Sequence, residues 1–144
     1  MINTNFKSNH NLPPQSTPFI GRVREINKIV GLIDDPACRL ITLVGSGGMG
    51  KTRLALEAVR QIITREISES PPTFANGAYF IALQSVKSHE LIASTIAETI
   101  GFSFRGQDNP QAQLLDYLRD RQILLILDNF EHVLEGADLM GDIL

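Results

Sequence analysis

The most constraining feature of the sequence is a glycine-rich octapeptide between an apolar run and a helix-like segment. Residues 45–52 read GSGGMGKT, after the apolar run at 40–44 and before RLALEAV at 53–59. This order matches the pattern G-x-x-x-x-G-K-[ST] of the phosphate-binding loop, or Walker A motif, in its strand–loop–helix setting. Glycines let the backbone curl closely around a phosphate, and the curled N–H groups and the helix N-terminus attract anions. The sequence therefore predicts a nucleotide-phosphate site here.

Two side chains of this loop have predicted chemical roles. Lys51 supplies positive charge for the β- and γ-phosphates, and the Thr52 hydroxyl is expected to ligate Mg²⁺. The predicted nucleotide-binding residues in and just after the loop are Gly45, Ser46, Gly47, Gly48, Met49, Gly50, Lys51, Thr52 and Arg53. The alternative interpretation is a glycine-rich turn that binds nothing.

Strand-like and helix-like segments alternate along the chain. We expect strands at 39–44, 77–83 and 123–127, and helices at 23–34, 51–67, 88–100, 110–120 and 131–144. The unbroken apolar run at 123–127 is typical of a parallel strand that is buried on both faces. The predicted fold class is α/β, a three-layer parallel-sheet P-loop NTPase fold. Residues 1–17 are predicted to be a flexible tail, and 18–144 the nucleotide-binding domain.

A second motif follows the last predicted strand. Asp128 comes directly after the apolar run at 123–127, as the Walker B pattern requires. Ligands of open parallel sheets bind at the carboxyl ends of the strands. We therefore expect Asp128 and Thr52 to hold Mg²⁺ together. A plain turn or helix cap at Asp128 is the alternative.

Composition limits the other classes of function. The net charge of −3 gives no electrostatic reason for this segment to contact nucleic acid directly or to bind an anionic membrane. The single Cys38 cannot form an internal disulfide, and no apolar run reaches the length of a membrane span. These observations favour a cytoplasmic protein.

Three motifs together resemble those of STAND-class signalling ATPases, bacterial multidomain regulators related to NB-ARC proteins and more remotely to AAA+ ATPases. FIGRVRE at 19–25 resembles the motif h-h-G-R-x-x-E, 45–52 matches the form G-x-G-G-x-G-K-T, and LLILDNFEH at 124–132 resembles the Walker B region. The resemblance implies a switch gated by ATP or ADP, in which Ile20, Gly21 and Arg22 contact the adenine. An ordinary turn before a helix is the alternative for those three residues.

The resemblance also implies partners beyond this segment. Members of the class usually continue into a helical lid, a winged helix and helical repeats, and a nucleotide-dependent oligomer is a further expectation. The sheet of the class places a later strand between the phosphate-loop strand and the Walker B strand, and no apolar strand follows Leu144. We therefore expect an incomplete N-terminal part of the fold, of marginal stability, because buried strand groups would lack hydrogen-bond partners.

The residues after Asp128 bear on turnover. Hydrolysing relatives often have an acid next, whereas this chain has Asn129, which cannot accept a proton from water near pH 7. Glu131 is the candidate substitute base, and a favourable charge in the first turn of a helix is the alternative for it. The predicted catalytic residues are therefore Lys51, Asp128 and Glu131, and the predicted ATPase is slow. The alternatives to a regulatory ATPase are a P-loop phosphotransferase acting on a small molecule and an interaction module that no longer uses nucleotide.

Overall fold

The computed structural model describes residues 9–67 and 72–144, which form two compact units. The first unit contains the described residues from 12 to 73, and the second contains residues 9–11 and 74–144. The helices are α1 Val23–Asp34, α2 Lys51–Glu66, α3 Ile92–Ile100, α4 Pro110–Arg119 and α5 Ala137–Ile143; the strands are β1 Ala78–Ala82 and β2 Leu124–Asp128. Residues 1–8 of the predicted tail and 68–71 of a predicted loop lie outside the described residues.

The first unit is built on α1 and α2. Ile26 and Ile29 of α1 are buried in one cluster with Leu54 and Ala58 of α2, which is the apolar face that the three- and four-residue spacing predicts. The predicted α1 is confirmed at both ends, and α2 ends one residue before the predicted limit. Two helices with one shared apolar seam therefore support the loop between them in sequence.

The strand predicted at residues 39–44 is wrong for this structure. These residues lie outside the helices and strands, and the side chains of Leu40 and Val44 are 59% and 89% exposed. A strand is stabilised by hydrogen bonds to a neighbouring strand. The two strands of the described residues pair with each other in the second unit, so residues 39–44 have no strand partner among the residues described.

The second unit contains a parallel pair of strands with helices packed on it. β1 and β2 run in register from Ala78 opposite Leu124 to Ala82 opposite Asp128. The largest fully buried side chains of its core are Ile81, Leu83, Ile92, Ile96 and Leu114. The two predicted strands and the helical crossover between them are confirmed, and the described chain is a mixed helix–strand structure with a small parallel sheet.

The prediction that the last strand is buried on both faces is wrong. Every residue of β2 is half-buried. Within the described residues β2 has one strand neighbour, β1, so no strand covers its other edge. An uninterrupted apolar run therefore indicates what a strand can bury, not what surrounds it.

Local capping residues mark the helix ends of this unit. The Asn109 side chain accepts hydrogen bonds from the N–H groups of Gln111 and Ala112, at 2.8 and 3.3 Å, directly before Pro110. The Ser88 hydroxyl accepts the N–H of Glu90, and a 3-10 turn at His89–Leu91 leads into α3. Gly101 ends α3 in the left-handed conformation, with φ 74°.

The prediction of one continuous helix at 131–144 is wrong, because the chain forms two helical segments there. A 3-10 segment at Phe130–Gly136, with Val133 at φ −136° and ψ 38°, precedes α5. At Gly136 the chain passes so close to α3 that an added Cβ would lie 2.2 Å from Ile92 Cδ1. The kink itself is at Val133, and Gly136, which permits the close approach, is the N-cap of α5.

The edge of β1 that does not face β2 is paired with the N-terminal residues 9–11. The Asn9 carbonyl accepts the Ala78 N–H at 3.0 Å. The Asn11 side-chain amide accepts the Phe80 N–H at 2.6 Å and donates to the Phe80 carbonyl at 2.9 Å. A Cβ on Gly77 would lie 2.2 Å from the Asn9 oxygen, so glycine permits this approach. The boundary between tail and domain at residue 17 stays a prediction.

Candidate functional site

The glycine-rich loop has the curled backbone that its sequence predicts. Gly48 and Gly50 both have φ 75°, in the left-handed region that a residue with a Cβ adopts only with strain. The Met49 N–H lies 3.4 Å from the Ser46 carbonyl, which closes a turn. The Gly50 carbonyl accepts the Leu54 N–H at 2.9 Å, so α2 begins where the loop ends. The loop therefore leads directly into a helix N-terminus.

The Lys51 side chain lies across this loop. Its Nζ donates to the carbonyls of Gly45 and Ser46, at 2.6 and 3.1 Å. An ammonium has three N–H donors, and these two bonds to neutral carbonyls leave its charge uncompensated. The side chain is only half-buried. The charge is thus held over the loop, where an anion can reach it.

Backbone N–H groups at the start of α2 are also available to bind an anion. No described residue accepts the N–H of Gly50 or of Lys51, as is usual for the first N–H groups of a helix. Gly45 to Met49 are exposed to solvent. Successive N–H donors in a curled loop, together with the positive end of the helix dipole, form an anion-binding concavity.

The predicted adenine-contact segment reaches the same loop through an arginine. Arg22 has φ 55°, caps α1, and donates from Nη1 to the Met49 carbonyl at 2.8 Å. Its Nε pairs with Glu25 Oε1 at 3.2 Å. A hydrogen bond from the backbone N–H of Glu25, and then the bond from Arg22, hold the pKa of that carboxyl below its usual range. Ile20 is 88% exposed, so its side chain is available to a ligand.

Arg53, another predicted nucleotide-binding residue, is used to anchor the residues before α1. Its Nη2 donates to the carbonyls of Thr17 and Pro18, at 3.1 and 3.3 Å. Its guanidinium also lies 5.6 Å from the centre of the Phe19 ring. All the predicted nucleotide-binding residues from Ile20 to Arg53 belong to the first unit.

The second motif lies in the second unit. Asp128 is the last residue of β2, half-buried, at the carboxyl end of the sheet. Asn129 follows in the left-handed conformation, with φ 62°, which asparagine adopts more readily than most residues. Glu131 and His132 are exposed. The chain thus turns sharply after the carboxylate.

The Mg²⁺ site predicted from both motifs stays a prediction. A hydroxyl and a carboxylate are oxygen ligands of the kind that Mg²⁺ prefers, so the residue types of Thr52 and Asp128 fit the ion. Thr52 belongs to the first unit and Asp128 to the second. No group of three or more His, Cys, Asp or Glu side chains placed to hold a metal occurs within residues 9–67 and 72–144.

Sequence reasoning missed the contact between Arg22 and the loop. The two residues are 27 positions apart, and nothing in their spacing predicts that they meet. The spacing of Arg22 and Glu25, three residues apart at a helix start, was an available signal that the guanidinium is held in place.

No helix in the described part of the chain is long and apolar enough to span a membrane.

Comparison with known proteins identifies the family. The chain is 32% identical over 139 residues to an uncharacterized WD repeat-containing protein of Nostoc sp., covering 89% of this chain and 10% of that protein. It is 34% identical over 103 residues to a putative HTH-type transcriptional regulator of Mycobacterium bovis, covering 69% and 10%. It is 30% identical over 122 residues to an ATP-dependent Clp protease ATP-binding subunit ClpA homolog of Trieres chinensis, covering 83% and 12%.

This chain therefore spans about a tenth of the length of these relatives. No solved structure is a significant match to it. Residues 22–135, most of the chain, match the NB-ARC domain family. With a curled glycine-rich loop at the start of α2 and a strand-end aspartate at 128, the chain belongs to the NB-ARC domain family, within the STAND class of P-loop ATPases.

Proposed function

We propose that this chain is the ATP- or ADP-binding module of a STAND-type regulatory ATPase, a nucleotide-gated switch in signal transduction or transcriptional regulation. The observation that carries the proposal is the loop at 45–50, curled at the N-terminus of α2 with the Lys51 ammonium held over it. Such a loop concentrates N–H donors and positive charge on one anionic group.

The phosphates bind the loop and the base binds the segment before α1. Gly45 to Thr52 surround the β- and γ-phosphates, and Lys51 exchanges its two carbonyl partners for phosphate oxygens. Ile20, Gly21 and Arg22 contact the adenine, for which the exposed Ile20 side chain offers apolar surface. Thr52 and Asp128 hold Mg²⁺ at the carboxyl edge of a three-layer parallel sheet of the P-loop NTPase type.

Hydrolysis is slow in this proposal. Asn129 occupies the place next to the Walker B aspartate where an acid would activate water, and an amide cannot accept the proton. Glu131 is exposed, so solvent reaches its carboxylate, and it acts as the base. Lys51 stabilises the negative charge of the phosphates, and Asp128 would contribute by holding Mg²⁺. A slow reaction suits a switch, because the bound state then lasts long enough to be read.

The chain acts alongside further domains in this proposal. Two of the relatives reported above are about ten times longer, and their names describe WD repeats in one and an HTH-type transcriptional regulator in the other. We infer a cytoplasmic multidomain regulator with a winged helix and helical repeats, which assembles in a nucleotide-dependent way. This segment makes no direct contact with nucleic acid or membrane.

Lys51→Ala tests the proposal, and Lys28→Ala is the matched control. Both variants lose one lysine of the first unit, but Lys28 is an exposed residue of α1. We expect Lys51→Ala to weaken Mg²⁺–ADP and Mg²⁺–ATP binding about tenfold or more, because charge-assisted phosphate contacts are lost. Lys28→Ala should leave the affinity unchanged. Isothermal titration calorimetry measures both, and equal affinities in all three proteins would refute phosphate binding at this loop.

A further inference from the structure

We propose that Arg22 is a positioning residue for the phosphate loop: its guanidinium fixes the Met49–Gly50 peptide so that the Gly50 N–H faces the phosphate. This inference rests on the proposed function, since the phosphate is that of the bound nucleotide. It gives Arg22 a role at the phosphate end of the ligand, separate from its predicted contact with adenine.

The Arg22 backbone is fixed at the start of α1. Gly21 and Arg22 both adopt left-handed conformations, with φ 82° and 55°, which is uncommon for a residue with a side chain. The Arg22 carbonyl accepts the Ile26 N–H at 3.0 Å, so the residue is tied into the first turn of α1. The unusual conformation is thus maintained by the helix that follows.

The Arg22 guanidinium is held at two of its nitrogens, Nε and Nη1. Nε lies 3.2 Å from Glu25 Oε1, one turn along the helix, and Nη1 donates to the Met49 carbonyl at 2.8 Å. A planar guanidinium fixed at two nitrogens has little rotational freedom left. Glu25 therefore orients the arginine, and the arginine holds one carbonyl of the loop.

Holding that carbonyl sets the direction of the next N–H. In a trans peptide the C=O and the N–H point in opposite directions. With the Met49 carbonyl turned toward Arg22, the Gly50 N–H points away from Arg22, and no described residue accepts it. The Gly50 carbonyl is in turn fixed by the Leu54 N–H at 2.9 Å. A charged donor on the carbonyl also polarises the peptide, which makes its N–H a better donor to an anion.

A positioning role and a base-contact role predict different ligand dependence. If Arg22 acts through the loop, its loss weakens every ligand that the loop binds, with or without a base. If Arg22 contacts only the adenine, its loss weakens nucleotides and leaves phosphate-only ligands unaffected. Mg²⁺–tripolyphosphate, which has the phosphates and no base, separates the two.

The first test is calorimetric titration of Mg²⁺–ATP and Mg²⁺–tripolyphosphate into the full chain. Arg22→Gln should weaken both ligands by the same factor, about three- to tenfold, as expected for one lost charge-assisted contact acting through a neighbour. Arg22→Lys should restore part of the affinity, since a lysine keeps the charge but not the fork. Arg24→Gln removes the same charge from an exposed position of the same helix and should change neither affinity.

Two outcomes overturn the inference. A loss confined to Mg²⁺–ATP assigns Arg22 to the base, and unchanged affinity for both ligands leaves it no role. If Lys51→Ala still weakens binding in either case, the proposed function stands without this inference. A wild-type chain that binds neither ligand refutes the proposed function itself.

The second test reads the peptide directly. The chain has two Met–Gly peptides, Met49–Gly50 and Met140–Gly141. Carbonyl-¹³C methionine combined with ¹⁵N glycine therefore gives two selectively detected amide signals, and the second is an internal control in α5. Arg22→Gln should move the Met49–Gly50 signal and leave the Met140–Gly141 signal in place, which also shows that the variant is folded. A Met49–Gly50 signal that does not move overturns the inference, whether or not a ligand binds.

Discussion

The glycine-rich loop of the first unit, residues 45–50, and the strand pair of the second unit form their structures over different sequence distances. The Lys51 ammonium contacts carbonyls five and six residues away, and the glycines need only their own backbone freedom. β1 and β2, in contrast, pair Ala78 with Leu124 across a whole helical crossover. Residues 39–44 have a strand-like sequence without a strand neighbour among the described residues, and they form no strand. The curl of the glycine-rich loop is therefore specified by nearby residues, with one further hydrogen bond from Arg22, whereas a strand is specified by its partner.

We expect the largest difference in unfolding free energy when one apolar side chain is truncated in β1 and one in residues 39–44. Ile81 in β1 is 1% exposed, and Ile81→Ala should lower the free energy of unfolding by about 2–5 kcal/mol through lost burial and a cavity. Val44→Ala, at a side chain 89% exposed, should cost less than about 0.5 kcal/mol. Urea unfolding followed by circular dichroism measures both.

Tyrosine fluorescence adds a local signal, because both tyrosines, Tyr79 and Tyr117, lie in the second unit. It should follow the loss caused by Ile81→Ala. If Val44→Ala proves as costly as Ile81→Ala, residues 39–44 are buried in solution and the contrast between the regions fails.

A smaller effect tests how closely the second unit is packed. Gly136→Ala places a methyl group 2.2 Å from Ile92 Cδ1, and we expect a loss of about 1–3 kcal/mol in unfolding free energy from the forced repacking. Gly141→Ala is the matched control, because no atom lies within 4 Å of an added Cβ there. Alanine should stabilise α5 at this position by about 0.4–1 kcal/mol. Thermal unfolding of both variants measures the difference, and the same sign for both would contradict the close approach at Gly136.

The smallest effect concerns a long-range contact of the first unit. Arg65 donates two hydrogen bonds to Asp34, at 2.8 and 2.6 Å, and these bonds hold the pKa of Asp34 below its ordinary value of 3.8. A carboxyl whose pKa is lower in the folded state stabilises the fold above its unfolded pKa, and this share is lost as the pH falls through the folded pKa. Both side chains are more than a third exposed, so we expect less than about 1 kcal/mol.

The Asp34→Asn variant measures how much the bonds from Arg65 to Asp34 contribute to the free energy of unfolding. It should lower the unfolding free energy slightly at pH 7, and the difference from wild type should shrink in acid and at high salt. Amide hydrogen exchange in α1 and α2 detects so small a change. A difference that grows as the pH falls would contradict the lowered pKa.

The features of the fold that the sequence could predict are those that neighbouring residues determine. The Asn109–Pro110 start of α4, the Ser88 cap and the Gly101 stop of α3 each depend on neighbouring residues, so sequence alone can predict these helix ends. The curl of the glycine-rich loop was predictable for the same reason. The close approach of Gly136 to α3 and the half-burial of β2 depend on packing against distant elements, which the periodicity of the sequence does not contain.

In the candidate site, too, the residues of the loop could be predicted and the long-range contact could not. The loop glycines and Lys51 were found from one short pattern, because their chemistry lies in consecutive residues. The bond from Arg22 to Met49 joins positions 27 apart, and no spacing rule predicts which carbonyl an arginine reaches. Contacts of this kind become visible only when α1 and the loop are placed in space.

The pairing of residues 9–11 with β1 has a consequence for how the molecule behaves in concentrated solution. An open strand edge is a template on which other molecules add strands, and natural proteins cover or interrupt such edges. Here the Asn11 amide takes both hydrogen-bonding groups of Phe80, and the Asn9 carbonyl takes the N–H of Ala78. Two asparagines of the second unit thus occupy this edge of β1, so the edge offers fewer free groups on which a strand of another molecule could add.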